Sequence, residues 1–128
     1  MRFPCPCCGY LQFTEPPGSY EICAICFWED DPVQLRWPDS AGGANKPSLE
    51  DAQAAYADIG ASDPRHKRHV KPAAEGDIRD EGWRPINRTL DRFEPSGSRN
   101  EAWPRDMTDL YWWGTTFWRA YSEQDPTG

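Results

Sequence analysis

A small α+β fold is predicted by three observations on the sequence. Two C-x-x-C pairs lie among strand-favouring residues, one capped amphipathic stretch reads as a helix, and aromatic residues gather towards the C-terminus. The 128 residues suit one domain of ordinary size. Leu, Ile, Val and Phe number 17, about 13% of the chain, below the roughly 20% at which disorder becomes a concern. Seven Trp and five Tyr oppose that reading, because each ring can bury a large apolar area. Stability must therefore come from aromatics and a cross-link rather than from aliphatic packing.

The cysteines supply the first element. Cys5-Pro6-Cys7-Cys8-Gly9 and Cys23-Ala24-Ile25-Cys26 form two C-x-x-C pairs with 14 residues between them, close to the usual spacing of a zinc site. Two thiolates three positions apart can point from one tight turn at a single ion, and two such turns complete a tetrahedron. Pro6 stiffens the first turn, and Gly9 can take the positive φ that lets backbone N–H groups approach the sulfurs. The expected ligands are Cys5, Cys8, Cys23 and Cys26, around one structural Zn²⁺ per chain. Cys7 could replace Cys8, since C-x-C also chelates, but the trailing glycine favours Cys8. Phe3, Tyr10, Leu11, Phe13, Tyr20 and Ile22 flank the pairs, and Glu15 to Ser19 reads as a turn. The result is a zinc-ribbon-like pair of knuckles on short β-hairpins.

Ser48 opens the helix. Asp51 stands three residues on, Glu50 and Asp51 suit the positive end of the dipole, and Gly60 ends the segment. Leu49, Ala52, Ala55, Tyr56 and Ile59 share a face, which is expected to pack on the knuckles. Ala41 to Asn45 reads as a loop, because no phosphate-binding glycine motif is present. Arg65 to Lys71 is a basic stretch, read as an exposed linker. Residues 74–101 read as charged turns with one short strand around Trp83–Leu90. Residues 107–121 fit neither a helix nor a strand cleanly, since both templates leave aromatics on two sides. The chain is thus divided into a cysteine-rich metal-binding part, 1–72, and a charged linker with an aromatic-rich C-terminal extension, 73–128, packed on the first.

The motifs resemble the bacterial cysteine-rich CPCC domain family. The likeness runs from Cys5-Pro6-Cys7-Cys8-Gly9-Tyr10 through Gly18 to Cys23 and Cys26-Phe27-Trp28-Glu29-Asp30-Asp31. It continues through Gly42 to Asn45, Ser48-Leu49, Ala52-Gln53 and Gly60-Ala61, covering about residues 3–72. Ala24 stands where the second pair of the family usually has proline, which loosens that turn without removing a ligand. The resemblance implies a small metal-binding bacterial protein and implies no defined molecular activity.

Charge and composition limit the function classes. Residues 1–64 hold three basic and ten acidic side chains, whereas residues 65–128 hold eleven of each. An acidic cysteine-rich half is a poor nucleic-acid binder. No apolar run is long enough for a signal peptide or a membrane span, so the expected location is cytoplasmic, where clustered cysteines bind metal rather than pair. A closed four-thiolate site has no open position for substrate. The expected function is therefore non-enzymatic: contact with a protein partner, as an adaptor or an immunity-type neutraliser of a basic toxin. The contact surface is assigned to Glu29, Asp30 and Asp31 with Tyr111, Trp112, Trp113 and Trp118. The competing reading folds those rings over the cysteine domain as its core, with a homodimer or another partner covering the remainder. The enzymatic alternative uses the Cys7 thiol, or a metal held near Asp30 and Asp31.

Overall fold

In the computed structural model, residues 1–95 and 102–118 are described. Strands β1 (Phe3–Pro4) and β2 (Leu11–Phe13) pair antiparallel, Phe3 opposite Phe13 and Pro4 opposite Leu11, with a register irregularity between the two pairs. The turn joining them carries Cys5 to Gly9. A second irregular hairpin carries the other cysteines, with Ile22 bridging Glu29 and Asp30 N–H bonded to the Glu21 carbonyl at 2.9 Å. Both hairpins grow from the strand-favouring residues around each C-x-x-C pair.

The long helix, α2 (Leu49–Ile59), is bounded by its caps. The Ser48 hydroxyl accepts from Asp51 N–H at 3.1 Å, and Gly60 adopts φ 78° while donating to the Tyr56 carbonyl. Leu49 and Ala52 are buried, as is Gln53, whereas Ala55, Tyr56 and Ile59 are only half-buried. Gln53 sits on the inner face because its amide serves two segments, donating to the Pro6 carbonyl and accepting from Ile86 N–H, each at 3.0 Å.

A short helix before it, α1 (Pro32–Arg36), arises from the sequence Asp31-Pro32. Pro32 fits the first helical turn, where a missing N–H costs nothing, and the Asp31 carboxylate accepts from Val33 N–H at 2.8 Å. Its other oxygen accepts from Ala44 N–H, so the 41–45 loop folds back on the cap. Gln34 completes this buried polar cluster, donating to the carbonyls of Ser40, Asn45 and Pro47.

Two expectations need correction, and the stretch that periodicity left open takes a definite path. The Trp83–Leu90 strand does not form; residues 83–87 are irregular and 88–90 a turn, and the nearest bridge is Tyr10 with Arg79. The basic stretch is not a bare linker: Pro64–His69 is a 3-10 helix, capped by Asp63 and packed on α2. A 3-10 helix brings positions i and i+3 into line, so His66 and His69 both lie on the Phe27 ring, at 4.6 and 5.2 Å. The aromatic segment opens as a 3-10 helix, Met107–Leu110, and continues in turns. Its polar ring atoms seek separate partners: Tyr111 O–H donates to the Pro4 carbonyl at 2.9 Å and Trp112 Nε1–H to the Arg84 carbonyl at 3.2 Å. Trp113 Nε1–H donates to Asp80. Those tertiary bonds fix the path where periodicity could not. Residues 119–121 of the same stretch lie outside the described residues.

One hydrophobic cluster joins the cysteines, Phe13, Ile25, Trp28, Leu35 and Leu49 with Leu110, Tyr111, Trp112 and Phe117. The aromatic segment thus supplies core to the cysteine-rich part. Among the described residues, no helix is long and apolar enough to cross a membrane.

Candidate metal centre

The two C-x-x-C turns share one backbone pattern. In the first, Gly9 N–H donates to the Cys5 carbonyl and Cys5 N–H to the Tyr10 carbonyl; in the second, Phe27 donates to Cys23 and Cys23 to Trp28, with lengths of 2.7 to 2.9 Å. Both turns close on a residue with positive φ, Gly9 at 83° and Phe27 at 71°. Gly9 has no alternative, because a Cβ there would lie 2.5 Å from the Trp83 ring. Phe27 bears a strain of order 1–2 kcal/mol in this region. Its ring gains the two histidine contacts in return, so the second knuckle uses an aromatic where the first uses glycine.

These turns converge. The sulfurs of Cys5, Cys8, Cys23 and Cys26 all lie within 4.8 Å of one another, and all four residues are fully buried. Cys5 Sγ is 3.6 Å from Cys26 Sγ, and Cys8 Sγ is 3.7 Å from Cys23 Sγ. A disulfide would need about 2.05 Å. A tetrahedron with metal–sulfur bonds of about 2.3 Å has edges of about 3.8 Å, so the spacing suits one tetrahedrally bound ion. The sulfur-only donor set suits a borderline-soft dication. Burial pushes the Cys5 and Cys26 thiols well above their ordinary value. Hydrogen bonds from Cys26, Cys5 and Cys8 hold Cys23 far below it. A bound dication would hold all four as thiolates.

Cys7 lies outside the group of four, wholly buried, and burial raises its pKa. An activated nucleophile needs an accessible thiolate, which this environment opposes. Among the described residues, the four cysteines are the one cluster arranged to hold a metal.

The acidic triplet is occupied internally. Asp31 caps α1 and is 4% exposed; Asp30, 1% exposed, accepts from both the N–H and the hydroxyl of Ser19. Glu29 is half-buried, its backbone paired with the Asn45 amide at 2.9 Å in both directions. Tyr111 and Trp112 are buried in the core, and Trp113 and Trp118 are half-buried. Of the assigned contact residues, Asp30, Asp31, Tyr111 and Trp112 are thus withdrawn from solvent, whereas Glu29, Trp113 and Trp118 keep part of their surface exposed.

Asp30 makes a testable case. Burial raises its carboxyl to about 6, against the pull of the Ser19 bonds. The folded pKa lies above the unfolded one, so its contribution to stability is full below about pH 4 and is lost as pH rises through 6. Stability should fall by about 1 kcal/mol from pH 5 to pH 7 on this account. Asp30→Asn should remove that slope. Urea unfolding of both chains at pH 5, 6 and 7 with equal zinc isolates it, and parallel profiles would refute the assignment.

Gln53, Arg79 and Trp83, which close over the first knuckle, carried no metal-site signal in the sequence. Trp83 Nε1–H joins Gln53 on the Pro6 carbonyl, at 3.0 Å, and Arg79 Nε–H donates to the Cys8 carbonyl at 2.9 Å. Such residues are visible only once residues 78–84 are seen beside the knuckle, with Leu11 N–H on the Ile78 carbonyl and Asp80 N–H on that of Gly9.

Fold and site together define a small α+β domain built around a buried four-cysteine metal-binding cluster. The chain belongs to the cysteine-rich CPCC family, whose model matches residues 3–77. A search of curated proteins found no match.

Proposed function

We propose that the chain is a non-enzymatic protein in which one structural Zn²⁺ on Cys5, Cys8, Cys23 and Cys26 shapes a surface for another protein. The observation that carries this reading is the buried sulfur tetrad. Four protein ligands saturate tetrahedral zinc, and full burial leaves no path for a substrate to a fifth position. In a reducing compartment such as the cytoplasm the thiols stay available for metal.

The contact face proposed in place of the buried residues is the second knuckle. Tyr20, Ile22 and Ala24 alternate outward there, with Tyr20 49% and Ile22 50% exposed. Tyr20 also holds φ 60°, a conformation costly for a non-glycine residue and common at binding sites. The acidic balance of the first half favours a basic partner, and an adaptor or an immunity-type protein would both fit.

Native mass spectrometry of the purified chain should find one zinc per molecule, and a folded chain without metal would overturn the reading. Affinity capture from the native host should return a partner that Tyr20→Ser with Ile22→Ser loses while keeping its zinc. Equal capture by both chains would remove this face from the proposal.

A further inference from the structure

We propose that Arg79 is the charge-compensating residue of the metal centre, supplied from just beyond the segment that the family model matches. The inference rests on the four-thiolate reading. Four thiolates around a dication carry two net negative charges, and burying them is costly unless positive charge lies near. Arg79 is the cation built against the knuckle. Its Nε–H donates to the carbonyl of Cys8 at 2.9 Å. Its guanidinium lies over the Tyr10 ring at 4.7 Å and the Trp83 ring at 4.9 Å. A backbone bridge between Tyr10 and Arg79 sets the register, and Trp83 is itself tied to the Pro6 carbonyl. Three contacts thus hold one charge against the loop that carries Cys5 and Cys8.

Among the described residues, no carboxylate neutralises this charge. Arg36, Arg65, Arg84 and Arg88 each pair with an acidic side chain, whereas no ion pair to Arg79 occurs among the described residues. An arginine held by π-faces and a carbonyl, with no carboxylate on it, leaves its solvent-screened charge free to act on another anion. Arg79 is a positioning residue for the thiolates and makes no bond to the metal.

The test uses the full chain and Zn²⁺ in competition with a chromophoric chelator. Groups of this kind change metal affinity by about 10–100-fold. Arg79 is exposed enough for solvent to screen it, so Arg79→Met should weaken zinc binding by about tenfold, the low end. Arg79→Lys, which keeps the charge but not the planar fork, should stay within about threefold of wild type. Far-UV circular dichroism of the zinc-loaded variants confirms that each is folded. Unchanged affinity in Arg79→Met overturns the proposal. So does an equal loss in both variants, which would mark a packing role indifferent to charge. A wild-type chain that takes up no zinc fails at the earlier step and removes the anion that Arg79 would compensate.

Discussion

Cys5→Ser and Cys26→Ser should each yield a chain that holds no zinc at micromolar concentration and does not fold. Structural zinc supplies on the order of 10–16 kcal/mol of apparent binding free energy in small metal domains, against a total stability of about 5–15 kcal/mol. Here the four cysteines belong to the same hydrophobic cluster as Trp28, Ile25 and Phe13, each 1% exposed or less. Loss of a ligand therefore removes metal binding and core order together. The measurement pairs zinc content with near-ultraviolet circular dichroism, which reports on buried tryptophan. A chelator added to wild type should reproduce the same spectrum. Cys7→Ala is the matched comparison. Its sulfur lies outside the tetrad, so it should retain one zinc and lose only packing, about 1 kcal/mol for a small buried thiol. If Cys7→Ala loses the metal while Cys8→Ala retains it, the ligand assignment is wrong.

Local chemistry decided which parts of the molecule were legible in its sequence. The knuckles and α2 are specified by contiguous signals: two C-x-x-C pairs, a serine cap three residues before Asp51, and a terminal glycine that takes φ 78°. Helix α1 was equally local, since Asp31-Pro32 is a cap followed by a first-turn proline, but three adjacent carboxylates read more readily as surface. Asp30 and Asp31 are buried because their acceptors answer the backbone N–H groups of Ser19, Val33 and Ala44. The C-terminal aromatics were illegible for a different reason. Their path follows from long-range bonds to Pro4, Asp80 and Arg84, and no local period encodes these partners. The same holds for Arg79 and Trp83.

Glu94→Gln should cost about 3–5 kcal/mol and lower Tm by more than 10 °C, the largest effect expected of any residue outside the metal centre. Arg36 and Glu94 form an ion pair with side chains 1% and 8% exposed. The guanidinium is also enclosed by aromatic faces, 4.5 Å from the Trp37 and Trp103 ring centres and 4.9 Å from that of Trp118. Removing the carboxylate charge takes the Glu94 counter-charge away from a cation whose side chain is 1% exposed, and breaking a buried pair on one side costs more than replacing both partners. Arg36→Met with Glu94→Gln should therefore recover part of the loss, because the methionine fills the cage and no charge remains buried. Urea unfolding of the two single variants and the double variant closes the cycle; purely additive losses would mean that the pair is not coupled in the fold. Trp103 and Trp118 lie beyond the residues that the family model matches, while Arg36 is the last residue of α1, within them. The cage therefore joins the C-terminal segment to the CPCC core by a charged contact, in addition to the apolar one made by Tyr111 and Trp112. Zinc content distinguishes the two anchors. Glu94→Gln should still bind one metal at room temperature and unfold early on heating, whereas a ligand variant should lose both properties together.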